Sequence, residues 1–220
     1  TQDSENLSYP TWIKVLEHCG TGLDKAVAEN SWTRANGIIN GADYLKCWIA
    51  SVFKEPLEPL PYLFFYGPQN SGKSIFHEAL SLLLTKGYVR ADAALISQAG
   101  FNGELEGAII CVVEETDLRV NNAAQNRIKD WVTARDLPIR AMYKQLYHTP
   151  NSTHWIHCSN DHKSCPIFPG DTRIVISYVE TLSPIDLIPK KKLLEQLEKE
   201  APDFLKSVLN LDLPVSNDRL

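Results

Sequence analysis

The sequence predicts an α/β protein, a parallel sheet flanked by helices, and three observations lead there. Short, wholly apolar runs recur through the middle of the chain. Helical patterns separate them. One run leads directly into a glycine-rich loop that opens a helix. Apolar strands without polar alternation are buried on both faces, as in a parallel sheet covered by helices.

The elements follow in order. Residues 1–57 form a helical N-terminal segment. Tyr44, Cys47, Trp48 and Val52 keep helical spacing, and Glu55-Pro56 ends that helix. Glu58-Pro59-Leu60-Pro61 makes a stiff linker. Residues 58–182 form the α/β core. Leu63–Tyr66 reads as a strand, Ser74–Leu84 as a helix, Ala108–Val113 as a strand and Gln125–Thr133 as a helix. His154–Ser159 and Ile174–Tyr178 read as further strands. Residues 183–220 form a helical tail, with Pro189 in its first turn and Leu193, Leu194 and Leu197 as an apolar stripe. The charges of Lys190–Lys192, Glu195, Glu198 and Glu200 are a solvated face.

At 220 residues and 44% hydrophobic content, the chain can bury a substantial core. The net charge of −5 excludes a protein coated in positive charge, yet a nucleic-acid channel depends on local charge. Five scattered cysteines, an odd number, suggest free thiols in a reducing compartment rather than a disulfide framework. No apolar run approaches the ~20 residues that span a bilayer, so no membrane partner is expected. Thr1–Asn6 is polar and acidic, unlike a signal peptide. The chain opens on Thr1 rather than Met, which leads us to expect a segment of a longer protein.

Gly67-Pro68-Gln69-Asn70-Ser71-Gly72-Lys73-Ser74 fits the phosphate-loop pattern G-x-x-x-x-G-K-[ST] at every fixed position. Gly67 and Gly72 are expected to take backbone angles that turn N–H groups toward phosphate. Lys73 supplies charge to the β- and γ-phosphates, and Ser74 offers its hydroxyl to Mg²⁺. The helix that follows points its positive end at the same place. The fold expected is therefore a P-loop NTPase, with ATP and Mg²⁺ as cofactors.

Ala108–Val113 leads into Glu114-Glu115. Adjacent acids at the end of a buried strand suit such an enzyme, because one can hold Mg²⁺ through its water shell while the other polarises the attacking water. Neighbouring strand residues point to opposite faces, so the two can divide these roles. Glu114 is assigned to the metal and Glu115 to the water, with the order left open.

The order of the later elements resembles superfamily 3 helicases, a group of AAA+ type. It includes papillomavirus and parvovirus replication helicases and the helicase halves of phage, plasmid and poxvirus primase–helicases. The resemblance covers roughly residues 60–180. Ile128-Lys129-Asp130-Trp131 through Arg140-Ala141-Met142-Tyr143-Lys144 looks like the segment that carries a DNA-gripping hairpin in the phage and plasmid members. Ala134-Arg135-Asp136 stands where those often have Gly-Gly-Asp. His154–Asn160 looks like a strand ending in the γ-phosphate-sensing Asn, here Asn160. Gly170–Ile176 looks like the element whose arginine, here Arg173, enters the neighbouring subunit's site. The resemblance further implies a hexameric ring partly built by residues 1–57, a fused or associated primase or origin-binding domain, and single-stranded DNA as partner, with RNA not excluded. It places the protein in the cytoplasm of a bacterial host, or in the host nucleus if a eukaryotic virus is the source.

Lys144, beside Tyr143, Tyr147 and His148, is the candidate DNA contact, with Arg140 behind it. From Arg119 to Lys144 the chain has six Lys/Arg and two acids, and basic residues beside aromatics suit a grip on the backbone without sequence readout. Two readings stand for Arg140, DNA contact or structural ion pair. Two stand for Arg173, a finger or a brace of its own turn through Asp171. His154, His157, Cys158, His162 and Cys165 fall within twelve residues, but their spacing matches no paired-ligand zinc pattern. Cys111 reads as core. Trp12, Trp32 and Trp48 read as core or subunit-contact aromatics. Two further functions stay open beside the helicase: a small-molecule or nucleotide kinase with residues 119–148 as its lid, and a scaffold or loader switched by ATP.

Overall fold

The computed structural model describes residues 6–114, 116–166, 170–182 and 188–214. Four helices come first: α1 (Pro10–Gly20), α2 (Asp24–Glu29), α3 (Ser31–Ala35) and α4 (Gly41–Lys54). The α/β region follows as β1 (Tyr62–Tyr66), α5 (Ile75–Ser81), β2 (Tyr88–Arg90), α6 (Asp92–Ile96), β3 (Ile110–Glu114), α7 (Asn122–Trp131), β4 (Asp136–Ile139), β5 (Tyr147–Pro150), β6 (His154–Ser159) and β7 (Ile174–Tyr178). The described chain ends on α8 (Lys190–Leu209).

Local chemistry sets several of the helix ends. Asn40 caps α4 by accepting from Asp43 N, and Asn121 caps α7 by accepting from Ala124 N, each at 2.9 Å. α5 is shorter than expected. After Ser81 the backbone tightens, so Leu82, Leu83 and Leu84 donate to the carbonyls three residues back.

Five strands form one sheet in the order β2-β3-β6-β1-β7, and every neighbouring pair is parallel. β1 shows why its apolar run is unbroken. Leu63 and Phe65 enter one core while Tyr62 and Phe64 enter the other. The first core joins α1, α4, α5 and α8 to the sheet, so residues from 1–57, 58–182 and 183–220 share it. Trp12 stacks on Phe204, with ring centroids 4.1 Å apart, and its Nε1 donates to the Leu197 carbonyl at 2.9 Å. A pair of this kind contributes about 0.5–1.5 kcal/mol beyond burial. α8 buries Leu197, Ala201, Phe204 and Val208, a stripe that extends the expected one by three turns. The second core packs α6 and α7 on the opposite face.

Register places the site. Tyr66 lies beside Ser159 and Tyr178, and Glu114 lies beside Cys158. The turns after β1, β3, β6 and β7 therefore leave from one edge of the sheet, and ligands of open parallel sheets gather at such carboxyl ends. The short strand β2, the helix α6 and the strand β4 escaped the sequence reading. Each spans only three to five residues, too few for periodicity to register.

Candidate functional site

The glycine-rich loop leaves β1 at Gly67 and enters α5 after Ser74. The expected backbone freedom is found at Gly72 but not at Gly67. Gly72 has φ +80° and Asn70 has φ +61°, whereas Gly67 does not adopt a positive φ. Asn is one of the few residues that takes this conformation readily. Gly67 is needed for space instead, because a Cβ there would collide with the Val179 carbonyl. Lys73 is buried, and its Nζ donates to the Pro68 carbonyl at 3.0 Å and to Asn160 Oδ1 at 2.7 Å. The structure thus joins Lys73 to Asn160, 87 positions away in sequence. His18 of α1 donates from Nε2 to the Ser71 carbonyl at 2.6 Å, so the N-terminal helices reach the same loop.

Glu114, the last residue of β3, sits in a second network. Its Oε1 accepts from His77 Nε2 at 2.8 Å and its Oε2 from Arg90 Nη1 at 2.8 Å. Its backbone N–H donates to Asp92 at 3.1 Å. Burial alone would raise the Glu114 carboxyl. His77, the Ser74 hydroxyl and Arg90 outweigh it and hold the group below the usual carboxylate range. Burial pushes the His77 imidazole below its ordinary value, against the pull of Glu114. Ser74 and Glu114 together offer oxygen donors of the kind a hard divalent cation accepts. Glu115 lies outside the described residues.

Arg173 is placed differently. It precedes β7, and its carbonyl accepts from Tyr62 N at the start of β1. The strand from Tyr62 to Tyr66 therefore separates it from the glycine-rich loop of its own chain, by about 13 Å of strand. Its Nε and Nη2 donate to the two Asp171 oxygens at 2.8 and 2.9 Å, and Nη1 donates to the Lys129 carbonyl at 3.2 Å. This fork-on-carboxylate pair is the turn brace foreseen as the second reading.

The segment Asp136–Pro150 is a hairpin, β4 antiparallel to β5, with Ile139 opposite Tyr147. Its tip turns at Ala141–Lys144, where Lys144 N donates to the Ala141 carbonyl at 3.2 Å. Tyr143 has φ +62° and is 99% exposed, and Met142, Lys144 and Leu146 are exposed beside it. His148 is exposed as well, whereas Tyr147 is half-buried against the second core. Arg140 donates to the Ala99 carbonyl at 3.0 Å and lies over the Phe101 ring at 5.4 Å. Among the described residues its side-chain partners are thus a carbonyl and a ring, not the carboxylate that a structural ion pair requires.

Sequence reasoning missed His77, Arg90, Asp92 and His18. His77 carried a signal, since it lies in the first turn of the helix that the glycine-rich loop opens, four residues after Lys73. His18 carried none, because only tertiary packing brings α1 to the loop. Of the histidine–cysteine cluster, Cys158 enters the first core and Cys165 the second, on opposite faces of the sheet. Among the described residues no group of three or more His, Cys, Asp or Glu is arranged to hold a metal. Among them, too, no helix is long and apolar enough to cross a membrane.

A family model described as a family of unknown function (DUF5906) matches residues 65–173. No curated protein matches the chain. Solved structures do. The apo structure of the C-terminal region of NrS-1 matches with a TM-score of 0.73 at 19% identity, covering 94% of this chain and 47% of that one. An A-form apo structure of the same region matches with a TM-score of 0.70 at 20% identity, covering 94% and 46%. The chain spans about half the length of these structures. At such identity the likeness is one of fold, and it agrees with the architecture seen here: a five-stranded parallel sheet flanked by helices, of P-loop NTPase-like form.

Proposed function

We propose that the chain is an ATP-dependent DNA helicase module of a viral, phage or plasmid-type replication protein, of the superfamily 3 kind. The observation that carries this reading is the convergence of Lys73, Ser74, Glu114 and Asn160 at one sheet edge, within a domain that also extends a hairpin tipped by Tyr143 and Lys144. The residues fit ATP and Mg²⁺. Gly67 and Gly72 let the loop take its close turn, Lys73 supplies a cation, and Ser74 with an anionic Glu114 supplies oxygen donors.

Bound Mg·ATP supplies the phosphoanhydride and neutralises its charge. The protein's residues do the rest. Gly67, Pro68, Gln69, Asn70, Ser71 and Gly72 cradle the phosphates, and Lys73 holds their outer charge. Glu115 orients water. Asn160 exchanges its contact with Lys73 for one with the γ-phosphate. In a hexameric ring the partner subunit's Arg173 completes the site, and residues 1–57 help to build the ring. The Tyr143–His148 side of the hairpin then moves along one DNA strand. A primase or origin-binding domain elsewhere in the longer protein is part of the same reading.

ATP hydrolysis measured with and without single-stranded DNA, for wild type and Lys144→Ala, tests it. Stimulation by DNA that falls in the variant, with nucleotide binding intact, is the expected result. Absence of stimulation by any nucleic acid, together with phosphate transfer to a small acceptor, would overturn it in favour of a kinase.

A further inference from the structure

We propose that His77 is a positioning residue for the Glu114 carboxylate, steadied from its other ring nitrogen by the Tyr88 hydroxyl. The inference deepens the proposed nucleotide site and rests on it.

His77 lies on α5, the helix that the glycine-rich loop opens, and its side chain is 3% exposed. Both ring nitrogens are engaged. Nε2 is 2.8 Å from Glu114 Oε1 and Nδ1 is 2.7 Å from the Tyr88 hydroxyl oxygen. A carboxylate can only accept, so Nε2 carries the hydrogen and donates. In the neutral ring Nδ1 is then left to accept, and the Tyr88 hydroxyl donates to it. The chain of bonds runs one way, from Tyr88 O–H to Nδ1 and from Nε2–H to Oε1. The opposite tautomer would set a ring lone pair against a carboxylate oxygen at the same separation.

The other carboxylate oxygen is held differently. Arg90 reaches Oε2 from a side chain that is 56% exposed, so solvent and cations compete for that contact. His77 is the fixed partner of Glu114 and Arg90 the exchangeable one. The three elements are thereby tied together: α5 brings His77, β2 brings Tyr88 and Arg90, and β3 brings Glu114. A donor that orients a metal-shell carboxylate without touching the metal is worth ~10–100-fold in metal affinity where such groups have been removed.

The test uses the full chain, a fluorescent ATP analogue and Mg²⁺. His77→Leu should raise the Mg²⁺ concentration for half-maximal nucleotide binding by about tenfold, with metal-free nucleotide affinity unchanged. His77→Gln, which keeps an N–H donor, should restore most of the loss. Tyr88→Phe preserves the ring packing and should raise the Mg²⁺ requirement by a smaller factor, while the ¹⁵N resonances of His77 keep the Nε2–H pattern that the carboxylate imposes. A folded His77→Leu protein with an unchanged Mg²⁺ requirement would overturn the inference alone, and so would an Nδ1–H pattern for His77 in the wild-type chain. If His77→Leu does not fold, the Mg²⁺ requirement of His77→Gln and the wild-type His77 spectrum decide. A wild-type chain that binds no nucleotide with or without Mg²⁺ would overturn the site and the inference together.

Discussion

Lys73 Nζ donates to the Asn160 side-chain oxygen at 2.7 Å, bridging the loop after β1 and the end of β6. The loop's cation therefore meets a neutral acceptor before it meets a phosphate. Replacing Asn160 with Ala removes a competitor of the phosphate and, in the proposed mechanism, a contact to the reacting group. Asn160→Ala should keep or tighten nucleotide binding while hydrolysis falls by on the order of 10²–10³, as for other oriented polar contacts. Titration with a fluorescent nucleotide beside steady-state phosphate release checks this. A parallel fall of both would argue that Asn160 only shapes the loop.

Tyr143 separates stability from binding. It sits third in the Ala141–Lys144 turn with φ +62°, where glycine is preferred, and it is fully exposed. Tyr143→Gly should therefore stabilise the chain, by about 1 kcal/mol, while weakening single-stranded DNA binding through loss of a stacking ring worth about 1–3 kcal/mol. Lys144→Ala should weaken the same binding and flatten its salt dependence by about one ion. Thermal melts and DNA titrations at several salt concentrations separate the two effects. A Tyr143→Gly protein that binds DNA like wild type would remove the hairpin tip from the interface.

These residues also show what a sequence can carry. A loop at Gly67–Ser74 between strand and helix, and the strand expected at Ala108–Val113 and seen at Ile110–Glu114, were legible because local chemistry dictates them, a glycine-rich turn in one case and an unbroken apolar run in the other. The expected strands at 154–159 and 174–178 match residue for residue. The partners of Glu114 were not legible. His77, Tyr88 and Arg90 come from α5 and β2, and only the parallel pairing of β2 with β3 brings them together. His18 meets Ser71 across 53 positions for the same reason. The role given to Gly67 was legible in kind but not in cause. A glycine is required there, yet the requirement comes from the Val179 carbonyl rather than from the glycine's own φ.

Arg173 and Asp171 form a fork-on-carboxylate pair in which Asp171 is 4% exposed and Arg173 is 29% exposed. Removing either partner leaves the other short of hydrogen bonds, so both Arg173→Ala and Asp171→Asn should lower stability, by about 1–3 kcal/mol. The ring proposal separates the two variants. Arg173→Ala should cut hydrolysis by on the order of 10³–10⁵, whereas Asp171→Asn should retain most of it. Mixing Arg173→Ala with Lys73→Ala protein should then recover part of the activity. No recovery under conditions of demonstrated assembly would leave Arg173 as a brace and nothing more.

His154 and His157 make stability depend on pH. Burial pushes both imidazoles down to about 4. For His154 the hydrogen bond to the Pro56 carbonyl opposes this, and for His157 the nearby Asp92 and Asp117 charges do. In the unfolded chain each returns to about 6.5. Above that value neither state binds the proton and the pair has no effect on folding. Between about 6.5 and 4 the unfolded chain takes up protons that the folded chain refuses, so stability falls as pH falls, by about 1.4 kcal/mol per unit for each histidine. From pH 7 to pH 5 the loss should reach about 2 kcal/mol per histidine. His157 lies between the rings of Phe64 and Tyr62, with centroids 4.8 and 6.0 Å away, so Phe fills the same slot. Urea midpoints of wild type and His157→Phe, measured from pH 7 to pH 5, should separate as the medium becomes more acid, with wild type falling further. Parallel curves would mean that His157 is protonated in the folded chain or keeps its proton affinity unchanged on unfolding.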